Sequence, residues 1–285
     1  MTSTFYAAIG PTRDALIELL EVADFPDSQV PTAKSEAMRE LSHEQSYAEK
    51  WGSEPVSNAY LVGAAKRTMA VDCANAMLRD LHEDPRPLYA HNVLSRAILE
   101  NAASAARLFE PGVGVETRVG RGFNEAIFSH QQVLRITWLP DATRASRKES
   151  IELIRESARQ LGIAVHNGWI AEERLGFTKL IRWLVGEELG RDLVGYFSAV
   201  THGTRYGLMA PVVDIDRSTL GARQVRLEAS ADDVNMAVGV AGSALIQALE
   251  NERQLNGWEW SGWLDTVQEV LDVFKEQMLA VLRPT

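Results

Sequence analysis

Two short polar stretches, each set in an apolar segment with helical spacing, carry the side chains best suited to chemistry. The first is Ser95-Arg96-Ala97-Ile98-Leu99-Glu100, continuing through Asn101 and Ser104 to Phe109. The second runs from Tyr196 to Gly207 and contains Ser198, Thr201, His202, Arg205 and Tyr206. An arginine, a glutamate or a histidine that enters a helical core must find a partner there, because an unpaired buried charge is costly.

Arg96 and Glu100 stand four apart and therefore share a helix face. They are either an exposed ion pair worth a few tenths of a kcal/mol or a pair inside a central helix. The second option arises because Leu99, Ala103 and Ala106 make the flanks apolar as well. Ser198 and His202 have the same spacing, with Arg205 beside them. A hydroxyl one turn before a histidine can orient the ring, but no third member of a triad accompanies them, and a structural histidine is the plainer reading. Arg96, Glu100 and His202 are expected to meet between two packed helices. There the carboxylate would accept from the guanidinium and from a ring nitrogen.

Several chemistries lack their motifs. There is no G-x-x-x-x-G-K-[ST] phosphate loop, and Gly112-Val-Gly114 lies between helices with no strand before it. No C-x-x-C, H-E-x-x-H or paired E-x-x-H occurs, and the six histidines have no ligand spacing, so no metal or cofactor is expected. No G-x-S-x-G elbow supports a hydrolase. Trp258, Trp260 and Trp263 form either an aromatic ligand wall or a staple at the entry to the last helix, the second being favoured.

The elements that must position these groups are mostly helical. The first amphipathic helix is expected from Thr12 to Asp24, and a loose arm from Phe25 to Val56, with room for a short helix near 33–47. A long helix over 54–83 ends at Pro85-Arg-Pro87. Further helices are expected over 88–109, 115–138, 146–160, 178–188, 192–209, 232–255 and 258–282, from three- and four-residue apolar spacing. Residues 211–230 read as a short β-hairpin or an extended loop. The fold class is all-α, a multi-helix bundle. Its division is an N-terminal helix and arm over 1–56 and a bundle domain over 57–285.

The chain has 285 residues, 29 basic against 39 acidic, a net charge of −10 and a pI near 5.2. That balance disfavours a broad phosphate-binding surface. A single cysteine, Cys73, cannot form an intrachain disulfide, so a cytoplasmic location is expected. Val234–Leu249 has no charged residue over 16 positions, short of the roughly 20 that a membrane span needs. Its apolar surplus instead suggests a homodimer, although full burial within one chain explains the same pattern.

Arg96-x-x-x-Glu100 in an alanine-rich helix, followed by Tyr196-x-Ser198-x-x-x-His202-Gly203-Thr204, resembles a group of helical proteins common in actinobacteria. The resemblance spans about Leu88 to Leu208 and brings no established activity with it. The arrangement is also similar to HEPN domains, helical dimers that include metal-independent ribonucleases with an R-x(4–6)-H motif. Gly195, Tyr196 and Phe197 occupy the positions where that arginine would stand, and Arg191 is too far back.

Two functions follow. One is a non-catalytic module that dimerises or binds a small molecule or partner, with Ser198, Arg205 and Tyr206 as ligand contacts. The other is a HEPN-like ribonuclease with His202, Arg96 and Glu100 as its catalytic set, in which His202 moves protons and Arg96 stabilises phosphate charge. Only the second implies a nucleic acid. Far-ultraviolet circular dichroism of the purified protein should be dominated by helix, above half the residues against a base rate of about one-third. A sheet-dominated spectrum would reject the bundle.

Overall fold

The computed structural model describes residues 2–23, 30–46, 54–82, 88–203, 212–217, 223–227 and 230–282. It is a multi-helix bundle with ten helices among the described residues. They are α1 (Thr2–Ala23), α2 (Glu36–Ser46), α3 (Pro55–Asp80), α4 (Ala90–Leu108), α5 (Val115–Leu134), α6 (Asp141–Gln160), α7 (Phe177–Val185), α8 (Glu187–Thr201), α9 (Ala231–Asn256) and α10 (Trp263–Leu282). Two small antiparallel pairs accompany them, β1 (Val165–His166) with β2 (Trp169–Ile170), and β3 (Val212–Arg217) with β4 (Arg223–Leu227). None of the described helices is long and apolar enough to cross a membrane.

The bundle is organised around α4 and α9. Small residues line both, and Ala102, Ala103, Ala105 and Ala106 of α4 meet Ala237, Ala241, Ala244 and Ala248 of α9 in one fully buried cluster. Ser95 Oγ donates to the Ala237 carbonyl at 2.9 Å, and Asn251 Nδ2 donates to the Ala106 carbonyl at 2.7 Å. Residue numbers thus rise together along the two helices, which run parallel. Their positive ends lie side by side, as do their negative ends, an arrangement that calls for counter-charge at each end.

At the positive end Asp233, in the first turn of α9, accepts from Tyr196 Oη of α8, from Asn92 Nδ2 at 2.9 Å and from His91 Nε2 at 2.8 Å. At the negative end of α4 the guanidiniums of Arg118 and Arg121 donate to the Leu108 and Arg107 carbonyls. These groups satisfy carbonyls that a helix terminus otherwise leaves open.

The apolar run Val234–Leu249 lies inside α9, enclosed by α1, α4 and α10. It is covered within one chain, so the sequence-level ground for a homodimer no longer points to a second copy.

Several expectations are corrected. The first helix does not begin at Thr12 but runs through Pro11 from Thr2. Ile9 is 1% exposed within the main core, and that burial outweighs the hydrogen bond that an internal proline removes. Ile9, Leu16 and Leu19 lie in the same core as α4 and α9, so α1 packs as part of the bundle.

The arm expected to be loose is held over residues 30–46. Arg118, with no exposed surface, pairs with Glu40 at 2.8 Å and with Glu36 at 2.9 Å, both on α2. Tyr60 Oη donates to Glu40 at 2.5 Å. Burial, and next the Glu40 charge, push the Tyr60 hydroxyl far above its ordinary pKa, so it stays a donor. Glu44 accepts from the Val56 amide and the Ser57 hydroxyl, both at 2.7 Å, closing the other end of α2.

A second, smaller core joins Val119 and Ile127 of α5 to Ile151 and Ala158 of α6 and to Ile170 of β2. The β1–β2 hairpin turns at Asn167 and Gly168, with φ of 50° and 82°. That Asn-Gly pair is a hairpin signal which the helical reading passed over.

Glu40→Ala should leave Arg118 Nε and the Tyr60 hydroxyl without their acceptor, while Glu36 still holds the guanidinium, and destabilise the protein by about 1–3 kcal/mol. Chemical denaturation should also show that Arg118→Met combined with Glu40→Leu recovers most of that loss. Equal damage from single and double variants would mean that the pair itself holds α2.

Candidate functional site

The residues singled out from sequence are not joined in the structure. Arg96 is half-buried on α4, its guanidinium carbon 4.7 Å from the centroid of the Phe177 ring on α7. Its Nη1 is buried and has no hydrogen-bond partner among the described residues. Glu100, one turn further along, is half-buried and makes no ion pair with Arg96 among the described contacts. His202 sits just past the end of α8, exposed, with its backbone N–H bonded to the Ser198 carbonyl at 3.0 Å. Ser198 is half-buried on the last turns of α8. No hydrogen bond or ion pair links any two of Arg96, Glu100 and His202. Arg205 and Tyr206 lie outside the described residues.

What the second cassette does contribute is Tyr196, through its bond to Asp233. The histidine that reaches a carboxylate is His91, on the first turn of α4 and 1% exposed. Asn92 Nδ2 lies 3.0 Å from the same ring nitrogen. A carboxylate between an imidazole and a phenol can hold a proton-transferring group. Here it also lies between two helix N-termini, and the enclosed ring has no room to meet a substrate.

Further charges are consumed in similar fashion. Arg67 on α3 meets Glu252 on α9 at 2.9 Å, with side chains 3% and 5% exposed. Arg121 reaches Glu110 at 2.8 Å and also Glu172, and Arg107 reaches Glu172 at 2.6 Å. The hollow beside Arg107, Arg121 and Asn124 measures about 20 Å³, enough for one water. Trp258 donates to the Val30 carbonyl at 2.9 Å and Trp263 to Glu250 at 2.6 Å. With Trp260 stacked on Trp258 and set edge-on to Trp263, the three rings fasten the α9–α10 turn.

Two larger spaces lie among the described residues, one of about 240 Å³ beside His166 and Trp169 of the β1–β2 hairpin and a cleft of about 510 Å³ between α3 and α5. The α3 wall of the cleft is Val62, Ala65, Lys66 and Met69, and its α5 wall is Glu125, Ala126, Phe128, Ser129 and Gln132. Each set recurs at three- and four-residue spacing, so each occupies one helix face.

Just before the cleft the two helices nearly touch. A Cβ placed on Gly122 would lie 2.8 Å from the Ala59 Cβ. The cleft follows that contact along both chains. Arg174 closes one side, its guanidinium carbon 3.5 Å from the Phe128 ring centroid, its Nε and Nη2 on Glu125 at 2.7 and 3.3 Å. Lys66 Nζ stands 3.9 Å from Glu125 Oε2.

Lys66 and Phe128 were not legible as a site, because a lysine and an aromatic at helical spacing read equally as a solvated face and a core position. No protein-family model matches the chain, and neither a curated protein nor a solved structure matches it.

Replacing Arg96 with Met should leave the thermal midpoint unchanged or raised, since an orphaned buried donor is exchanged for an apolar side chain of similar reach. A loss above about 2 kcal/mol would show that Arg96 has an acceptor after all.

Proposed function

We propose that the protein is a non-catalytic binding module that takes a small, largely apolar molecule into the α3–α5 cleft. The observation that carries this reading is the cleft itself. Its volume falls within the roughly 300–1,000 Å³ of small-molecule sites, and its walls are apolar with a few polar groups at fixed positions. Met69 is 56% exposed, and a flexible thioether at such a place adapts to varied ligand shapes. The tight contact at Ala59 and Gly122 and the bidentate Arg174–Glu125 pair hold the walls before any ligand arrives, which lowers the ordering cost of binding.

The ribonuclease alternative draws no support from the described contacts. Its proton carrier is exposed at a helix end, and its phosphate-binding arginine is committed to an aromatic face. The groups that resemble catalytic ones, His91 and Asp233, serve the ends of two central helices. A lone cysteine that is half-buried in α3 supports a reducing, cytoplasmic setting for the binding task.

Nile red, a neutral apolar dye, should bind the native protein saturably at one site. Ala65→Trp places an indole in the cleft at an exposed helix position, so it should abolish that binding while leaving the melting temperature unchanged. Undiminished dye binding by the folded variant would place the apolar site elsewhere and reject the proposal.

A further inference from the structure

The charges around this cleft do not cancel. Two cations, Lys66 and Arg174, face one carboxylate, Glu125. Arg174 engages both carboxylate oxygens and is 9% exposed, against 14% for Glu125, so that pair is a closed unit. Lys66 is left at 3.9 Å, at the outer limit of an ion pair, with its side chain 29% exposed. It makes no hydrogen bond to another described residue. Its ammonium has three donors to offer, and it lines the cleft directly. Arg135, hydrogen-bonded to Gln132 at 3.3 Å, adds a further cation at the rim, so within a chain of net charge −10 this wall is locally cationic.

Neighbouring groups add neutral polarity of the same sense. Gln132 accepts from Arg135 through its amide oxygen at 3.3 Å, which leaves its amide nitrogen to donate. Ser129 is exposed beside it. The remaining lining, Val62, Ala65, Met69, Ala126 and Phe128, is apolar.

From this we infer that the cleft selects an amphipathic monoanion, a medium-chain or compact apolar carboxylate whose head group pairs with Lys66 and whose body lies along Met69 and Phe128. A monoanion matches the single ammonium, Lys66, among the residues that line the cleft, and a cationic amphiphile would meet Lys66 head-on. The lysine stem can lie along the apolar wall while its ammonium stays at the rim. Partial exposure makes the attraction sensitive to salt.

The inference rests on the cleft being the ligand site, and three probes separate the two claims. Decanoate, decanol and decyltrimethylammonium are titrated against Nile red on the native protein. Decanoate should displace the dye at least about tenfold more tightly than decanol, as a charge-assisted contact in a partly buried site allows, and the cationic amphiphile should be weakest. That advantage should shrink as salt is raised. Lys66→Gln should bring decanoate down to the level of decanol without altering decanol itself, and Lys66→Arg should restore most of the difference.

Lys66 is part-exposed and only loosely paired with Glu125, so both variants should melt close to the native protein. Should one unfold, raising salt on the native protein reads the same interaction. Decanoate no tighter than decanol, or unaffected by Lys66→Gln, overturns the anion preference while leaving the cleft as an apolar site. Failure of all three amphiphiles to displace the dye overturns the preference together with the reading beneath it.

Discussion

Two alanine-rich helices packed side by side and parallel impose the constraint on which the rest of this structure depends. Parallel packing brings two positive helix ends together and two negative ends together, each equivalent to about half a charge. Small side chains let the backbones approach, so these ends cannot be separated by bulk. The chain answers with Asp233 at one end, held by His91, Asn92 and Tyr196, and with Arg118 and Arg121 at the other. The polar side chains that look most like chemistry are thereby explained as terminus partners.

The same arginines recruit the outer elements. Arg118 donates to the Leu108 carbonyl at the end of α4 and to the Glu110 carbonyl just beyond it while binding Glu36 and Glu40. One buried guanidinium thus fixes a helix that carries little apolar surface of its own. An apolar contact of similar volume could be as stabilising. It would not fix the register of α2, since the fork geometry of arginine accepts few arrangements. Arg121 and Arg107 likewise tie Glu172 to the α4–α5 corner, bringing the β1–β2 hairpin against α5.

Against that closed set of pairs, the α3–α5 cleft stands out because Lys66 on its wall is only loosely paired. It exists because Gly122 lets α5 approach Ala59 at one point, and the walls beyond that point carry Lys66, Met69 and Phe128 without a further element over them. A fixed contact at one end and a guanidinium stacked on Phe128 at the side make a shaped, pre-ordered space. Binding there requires little rearrangement of the bundle, which suits recognition better than catalysis.

Helical periodicity and turn residues were enough to establish the all-α class, most of the helices, the separation of α3 from α4 and the two short strands within 211–230; the expected break at Pro85-Arg-Pro87 lies outside the described residues. Those features are local, set by backbone preferences and by which face of each segment is apolar. The apolar run Val234–Leu249 was also legible as a helix, but periodicity could not say whether its partner was a second chain or the same one. Nor could a charged residue's spacing reveal its partner. Arg96 and Glu100 share a face yet stay apart, whereas Arg118 finds Glu40 across 78 positions and His91 finds Asp233 across 142. Such pairs depend on the relative placement of whole helices, which long-range packing decides. The cleft belongs to the same category, because a cavity is the space between surfaces and no segment encodes it alone. Sequence determined the elements and their apolar faces; tertiary structure decided which charges are consumed and which, like Lys66 at 3.9 Å from Glu125, are only loosely paired.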